Sequence, residues 1–303
     1  MTHVSIILVH YNTPEYTLGC LRSLSEVKTA QFSVSVIVVD NGSLEPLQIP
    51  KKYSDLATIV RSNTNLGFTG GNNLGISYAI ETHDSEYVLL LNTDTELDPQ
   101  AVKVLVKTLQ QHPKMGAVCP KIYFGAGSEF HDQSYSKDQL GRILWYVGGS
   151  IDWRHLAAFH RGVDEVDRGQ FDSQVESDFA TGCAVLVRRE VLEKIGGFDD
   201  RYFLYFEDVD LSLKIRRAGY TIGFAPESVV WHFNAGSSGG SGSAVHTYYQ
   251  TRNRLLLAFL HGGWQNWMTA LRIALKELKE SNATKTTAVF HALTGTYGKQ
   301  PVL

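Results

Sequence analysis

No apolar run in this chain reaches the ~20 residues that a membrane-spanning helix needs, so no spanning segment is expected. Cysteine is scarce. Cys20, Cys119 and Cys183 stand far apart among apolar neighbours and form no CxxC or Cys/His spacing. That excludes a cysteine-based metal site and points to buried free thiols in a reducing cytosol. Basic charge is not in surplus either: the formal net charge is −3. This argues against nucleic acid held on a broad basic surface. A strand-like run, Val4 to Val9, starts almost at once, without the basic region of a signal peptide. The expectation is a cytoplasmic protein, soluble or held peripherally on the inner face of the plasma membrane.

What is present begins with a core. Hydrophobic residues make up 43% of the 303 and charged residues 19%, as in a folded protein of one large or two smaller domains. The organising stretch is Tyr87 to Pro99. Five apolar residues, Tyr87 to Leu91, suit a strand buried on both faces of a parallel sheet. Asn92, Asp94 and Glu96 follow, and Asp98-Pro99 reads as the cap and first position of a helix with Val102, Leu105, Val106 and Leu109. Polar groups at the carboxyl end of a central strand stand where open α/β sheets bind ligands. Asp94 suits a Mg²⁺ or Mn²⁺ ion shared with substrate phosphates. Its plain reading is a turn former.

Two further strands end in the same manner. Val4 to Val9 leads into His10-Tyr11-Asn12, with Thr13-Pro14 opening a helix of Leu18, Leu21, Leu24 and Val27. Val34 to Val39 leads into Asp40-Asn41-Gly42-Ser43, and Ala57 to Val60 reads as a third strand. Alternating strands and helices predict a doubly wound α/β half. Three polar strand ends along one sheet edge would make a nucleotide pocket. The run Asn65 to Gly75 is glycine-rich but fits neither a Walker nor a Rossmann pattern; a helix, Asn73 to Ile80, is expected to begin inside it. The side-chain amides of Asn72 and Asn73 are able to bond a base or ribose.

After a strand at Gly116 to Pro120, the pattern loosens from Tyr123 to about Phe171, a stretch of long loops and short strands where acceptor specificity is expected to reside. A strand, Asp178 to Val187, and a helix, Arg189 to Ile195, restore order. Glu207, Asp208 and Asp210 then open a helix running to Arg217. Complementing the helix dipole accounts for three acids there. It does not account for the aromatic wall before them, Tyr202, Phe203, Tyr205 and Phe206. A carboxylate among rings is desolvated and becomes a better base, which favours a catalytic Asp208. Tyr220 to Phe224 and Val229 to Trp231 read as two strands, the second closed by His232, a residue able to ligate Mn²⁺. Gly236 to Ser243 is a low-complexity loop of the kind that closes over a substrate or simply connects. Trp264 to Lys279 is amphipathic, read first as a helix packed on the core and second as one attached to an anionic membrane.

Taken together, Val9-His10-Tyr11-Asn12, Val39 to Ser43, Asn65 to Phe68 with Gly71 to Asn73, Asn92-Thr93-Asp94, Gly182, Gly197-Phe198-Asp199, Phe206 to Leu211, His232, and Tyr248-Tyr249 with Arg252-Asn253 resemble family 2 glycosyltransferases of the GT-A fold, in the rhamnosyltransferase-like branch. These residues span about 4 to 257 in the family's order. The resemblance implies an α/β GT-A-type mixed sheet with a Rossmann-like nucleotide-binding half (1–122), an acceptor half (123–245) and a helical extension (246–303). It implies an inverting, metal-assisted transfer of one sugar, such as rhamnose, from a dTDP- or UDP-sugar to a glycan or lipid-linked acceptor in cell-surface polysaccharide synthesis. His10, Asn12, Asp40, Asn41, Gly67, Asn72, Asn92, Asp94 and Arg252 would contact the nucleotide sugar. Asp94 and His232 would ligate Mn²⁺ or Mg²⁺, Asp208 would be the base and Glu207 would position it. Asn92 replaces the first Asp of the family's DxD, and His10 stands where Asn is usual. A nucleotidyltransferase would need a basic loop after the first strand, and residues 10–16 contain no Lys or Arg. A sugar-binding module with a dead site is the non-enzymatic alternative.

Overall fold

The computed structural model describes residues 2–29, 32–233, 242–280 and 282–301. Its elements run in order as β1 (His3–His10), α1 (Pro14–Leu24), β2 (Ser33–Asn41), β3 (Ala57–Ser62), α2 (Gly67–Thr82), β4 (Tyr87–Leu91), β5 (Thr95–Leu97) and α3 (Ala101–Gln111). There follow β6 (Met115–Phe124), β7 (Leu144–Tyr146), β8 (Gly149–Asp152), β9 (Ala157–His160), β10 (Ala184–Arg188), α4 (Arg189–Ile195), α5 (Glu207–Arg217) and β11 (Thr221–His232). Helices α6 (Ala244–His261), α7 (Trp264–Lys279) and α8 (Ala283–Thr294) close the order.

One nine-stranded mixed sheet organises the molecule, in the order β3-β2-β1-β4-β10-β6-β11-β5, with β7 paired to β6. β3, β2, β1 and β4 are parallel, and β10 enters antiparallel between β4 and β6. β4 is buried throughout, as an unbroken apolar run between two covered faces must be. Truncating one of its leucines to Ala should cost ~2–5 kcal/mol. β8 and β9 form a separate ribbon.

The short β5 forces the sheet to curl. It starts four residues after the end of β4, a reach of at most ~14 Å. Yet it pairs on the far side of β11, four strand positions from β4, which in a flat sheet is ~19 Å. Curling brings the far edge back, so the end of β4 and the end of β11 meet.

Several expected boundaries move. The glycine-rich run is not a loop: α2 already begins at Gly67. Gly71 and Gly75 face β1, where an added Cβ would sit 2.7 Å from Val9 and 2.5 Å from Ile7. Close helix–sheet approach, rather than phosphate binding, explains them. α3 begins at Ala101, two residues after Pro99, with the Asp98 carboxylate accepting from the Gln100 amide at 2.8 Å. Strand β10 is shorter than expected, and the two strands expected between Tyr220 and Trp231 are one, bulged between Ala225 and Val229. Residues 236–241 of the low-complexity loop lie outside the described residues, while Ser243 caps α6 by accepting from the His246 amide. The three cysteines are buried and free. Among the described residues no helix is long and apolar enough to cross a membrane.

Candidate active site

The curl places Asp94 beside His232. β11 pairs with β5 so that His232 stands opposite Thr95, and the Phe233 amide donates to the Asp94 carbonyl at 2.8 Å. The His232 Nε2 then lies 3.3 Å from Asp94 Oδ1. Trp145 packs edge-on against the imidazole, with ring centroids 4.6 Å apart, and fixes its plane. The buried His232 Nδ1 has no hydrogen-bond partner among the described residues. A carboxylate and an imidazole side by side form an oxygen–nitrogen donor pair of the kind divalent transition ions accept. No group of three or more His, Cys, Asp or Glu gathers to hold an ion among the described residues. The pair therefore suits an ion that completes its shell with substrate oxygens and water.

Asp208 reaches the same crevice from the amino end of α5. Its carboxylate accepts from the Gly182 amide at 3.2 Å and the Val209 amide at 2.8 Å. The next residue, Cys183, accepts through its carbonyl from the Asn92 amide at 2.8 Å. Thus Asn92 and Asp208 are joined through a single dipeptide. Burial raises the Asp208 pKa, and the amides oppose that rise only in part. Glu207 is more deeply buried, and its Oε2 has no partner among the described residues. Burial first, and the neighbouring Asp208 charge second, push its pKa well above the carboxylate range. Two adjacent buried carboxyls do not both ionise readily. Glu207, the more deeply buried of the two, keeps the proton, and Asp208, held by the Gly182 and Val209 amides, carries the charge.

The nucleotide edge is built differently. His10 is buried and shares a 2.8 Å hydrogen bond with Thr17. Asp40 has no exposed surface. Burial pushes its pKa up, but bonds from Ser43 and Leu47 and the Arg61 charge outweigh this and hold it below the usual range. Asn41 donates to the Gly67 carbonyl and accepts from the Leu66 amide, stapling the end of β2 to the start of α2. Asn72 is buried and donates to the Phe68 carbonyl in its own helix. His10 through Nδ1, Asp40 through both carboxylate oxygens and Asn72 through its amide nitrogen thus help shape the walls of the nucleotide edge. Asn12 remains exposed, with a φ of 56°, and accepts from the Leu44 amide. Gly67 has a φ of 76°, and a Cβ there would meet the Phe203 carbonyl at 2.4 Å. Asn92 is partly exposed in the crevice.

Arg252 is fully buried, and its guanidinium donates to the carbonyls of Arg201, Tyr202 and Gly298 and to the Asn253 side chain, which engages four of its five N–H groups. Its neighbour Asn253 donates to the carbonyls of Tyr202, Leu204 and Tyr205. Between them they hold the turn that delivers Asp208, in which Phe203, Tyr205 and Phe206 have φ values of 65°, 68° and 67°. Each such non-glycine residue costs ~1–2 kcal/mol. The carbonyls that this backbone turns outward are the ones α6 binds, which offsets the cost. A second tie escaped sequence reading: His261 Nε2 lies 2.6 Å from Asp210 on α5, and both side chains are buried. Fifty-one residues separate them, and no local pattern signals the pair.

Two cavities flank the sheet. One, about 630 Å³, includes Thr93, Asp94 and Glu96 with Tyr16 and Tyr53. The larger, about 840 Å³, lies among Val104, Met115, Thr221 and Phe224, toward the amino ends of β6 and β11. Strand direction favours the smaller as the substrate site.

Residues 2–255 match the family model described as glycosyltransferase like family 2. The chain is 26% identical over 280 residues to N-acetylglucosaminyl-diphospho-decaprenol L-rhamnosyltransferase of Mycobacterium tuberculosis, covering 89% of this chain and 88% of the relative. It is 26% identical over 237 residues to the Escherichia coli rhamnosyltransferase WbbL, covering 76% and 83%. Among solved structures, the mannosyltransferase PcManGT of Pyrobaculum calidifontis in complex with GDP-Man and Mn²⁺ superposes with a TM-score of 0.55 at 16% identity, over 97% of this chain and 80% of that one. The shared fold is GT-A.

Proposed function

The chain belongs to glycosyltransferase family 2, and on that premise we propose that it transfers one sugar with inversion from a nucleotide-diphosphate donor to a glycan or lipid-linked acceptor in cell-surface polysaccharide synthesis. We take the sugar to be rhamnose and the donor to be a dTDP- or UDP-sugar. The two rhamnosyltransferase relatives support the sugar. The observation on which the mechanism rests is the meeting of Asp94, His232 and Asp208 at one end of the curled sheet.

Asp94 and His232 would hold Mn²⁺ or Mg²⁺, an ion that when bound supplies positive charge against the leaving diphosphate. Asp208 takes the proton of the acceptor hydroxyl as that oxygen bonds to the anomeric carbon. The bond from that carbon to phosphate oxygen breaks, and its electron pair leaves with the diphosphate. The raised pKa of Asp208 suits this task. Neutral Glu207 beside it avoids a second charge and keeps the helix start in place. Asn12 and Asn92 line the donor side, with the 41–44 and 65–67 turns as its wall. In this reading residues 1–122 bind the nucleotide sugar, 123–245 face the acceptor and 246–303 brace both. The buried free thiols suit a reducing compartment, and we place the reaction in the cytoplasm.

Thermal stability with UDP, dTDP and GDP, each with and without Mn²⁺, tests the donor site. A ligand at ~100 times its dissociation constant adds ~2.7 kcal/mol. The expected result is stabilisation by dTDP or UDP that requires metal. No shift with any nucleotide would contradict the reading.

A further inference from the structure

Helix α7 is packed the wrong way round for a core helix. Its buried residues are small, Ala270 and Ala274. Its large apolar residues face outward: Trp264, Trp267, Met268, Leu271, Leu275 and Leu278 are 42–73% exposed. Their spacing of three and four places all six on one stripe ~100° wide. The expectation that this helix simply buries its apolar face is therefore not met. Arg272, Lys276 and Lys279 fall together along one flank of the stripe. Single exposed apolar residues are ordinary, but a continuous stripe of this length marks a contact surface.

Charge selects the occupant. Residues 262–303 hold five of the chain's 28 basic side chains and only two of its 31 acidic ones. Those two, Glu277 and Glu280, are both taken by Lys285, at 2.6 and 2.7 Å. Arg272, Lys276 and Lys279 have no acidic partner within 4 Å among the described residues. Two copies joined through the stripe would bring like-charged flanks together, which costs free energy. An anionic lipid surface does the reverse. Indole rings also favour the headgroup level, where the ring is buried and its N–H stays wet.

We propose that α7 lies in the plane of an anionic membrane surface. The stripe sinks to the headgroup–acyl boundary, and Arg272, Lys276 and Lys279 meet lipid phosphates. Through Ala270 and Ala274 the helix packs on Leu255 and Ala258 of α6. That helix holds the turn before Asp208, so the anchored surface and the active site belong to one packed unit. The proposal stands independently of the transferase reading, since lipid binding is measured without turnover.

The test is sedimentation of the full chain with vesicles of phosphatidylglycerol and phosphatidylcholine in equal parts, or of phosphatidylcholine alone. Binding to the anionic vesicles is expected, weaker by about tenfold or more on neutral ones and reduced by salt. The variant Trp267→Ser, Leu271→Ser, Leu275→Ser should lose binding about tenfold or more with its melting temperature retained. The variant Arg272→Glu, Lys276→Glu, Lys279→Glu should lose anionic selectivity, which keeps the test valid should the first variant misfold. Phe159→Ser, at an exposed apolar position outside α7, should bind as the parent does. Absence of anionic binding, equal binding by the charge variant, or a stripe that proves to join two copies in light scattering without binding vesicles would each overturn the proposal.

Discussion

The ends of β1 and β2 and the ends of β4 and β11 look alike in sequence, each an apolar run closing in Asn, Asp or His. The structure uses them differently. At the first pair, polar atoms are spent on one another: His10 on Thr17, Asp40 on Ser43, Leu47 and Arg61, Asn41 on the turn at Gly67. At the second, Glu207 Oε2 and His232 Nδ1 are buried without partners among the described residues, and Asp208 is held by backbone amides. A buried polar atom left unmatched costs ~1–3 kcal/mol. In the proposed reading, the first edge shapes the ligand site and the second carries the reaction.

The largest effect should come from the reactive edge. Asp208→Asn keeps one of the two amide contacts, through its single carbonyl oxygen, and takes no proton. Transfer should fall ~10²–10⁴-fold while nucleotide affinity stays near that of the parent and stability changes by no more than the ~1 kcal/mol of one lost hydrogen bond. Retained transfer in a single-turnover assay would remove Asp208 as the base. For the parent, the rate should fall as pH drops through the raised Asp208 pKa, because only the ionised form accepts a proton.

The brace between the edges is next. Asn253→Ala strands two carbonyls of the turn before Asp208, those of Leu204 and Tyr205, while that of Tyr202 keeps Arg252. It should cost ~1–3 kcal/mol of stability and lower kcat with it. A melting loss with kcat unchanged would show that the turn does not position Asp208.

Little of this division was legible in the sequence. The strand–acid pattern at Tyr87 to Asp94 and the limits of α4, α5 and α7 were readable, because apolar period and caps are local. The helix expected from Asn73 starts six residues earlier, at Gly67, because glycine weakens helices in isolation and hides its first turns. Only contact with β1 reveals why Gly71 and Gly75 must be small. Between Tyr220 and Trp231 the sequence reads as two strands where the sheet carries one, bulged between Ala225 and Val229. The charge of Arg252 is visible in sequence, but its bonds to the carbonyls of Arg201, Tyr202 and Gly298 are not, because they join residues about fifty apart. The meeting of Asp94 with His232 required the curl, which follows from the strand order rather than from any motif.

The smallest effect concerns Glu207. Its folded pKa lies well above its ordinary 4.5, so the folded state binds the proton more tightly than the unfolded chain does. Its contribution is fully present below pH 4.5 and is lost as pH rises through the folded value. Glu207→Gln mimics the protonated form. It should raise the melting temperature at pH 8 by a few degrees, leave stability at pH 4 nearly unchanged, and alter transfer only a few-fold. A lower melting temperature at pH 8 would mean that Glu207 is ionised in the folded protein.

The contrast between the edges is tested most directly by comparing Asp94→Asn with Asp40→Asn in one titration, nucleotide diphosphate with and without Mn²⁺, alongside the melting temperature of each variant. Asp94→Asn should keep its melting temperature and lose the metal-dependent part of nucleotide binding. Asp40→Asn should melt several degrees lower and keep the metal dependence of whatever binding remains. If Asp94→Asn melts low with its metal dependence intact, or Asp40→Asn loses that dependence without melting lower, the two edges are not divided in this way and the account fails.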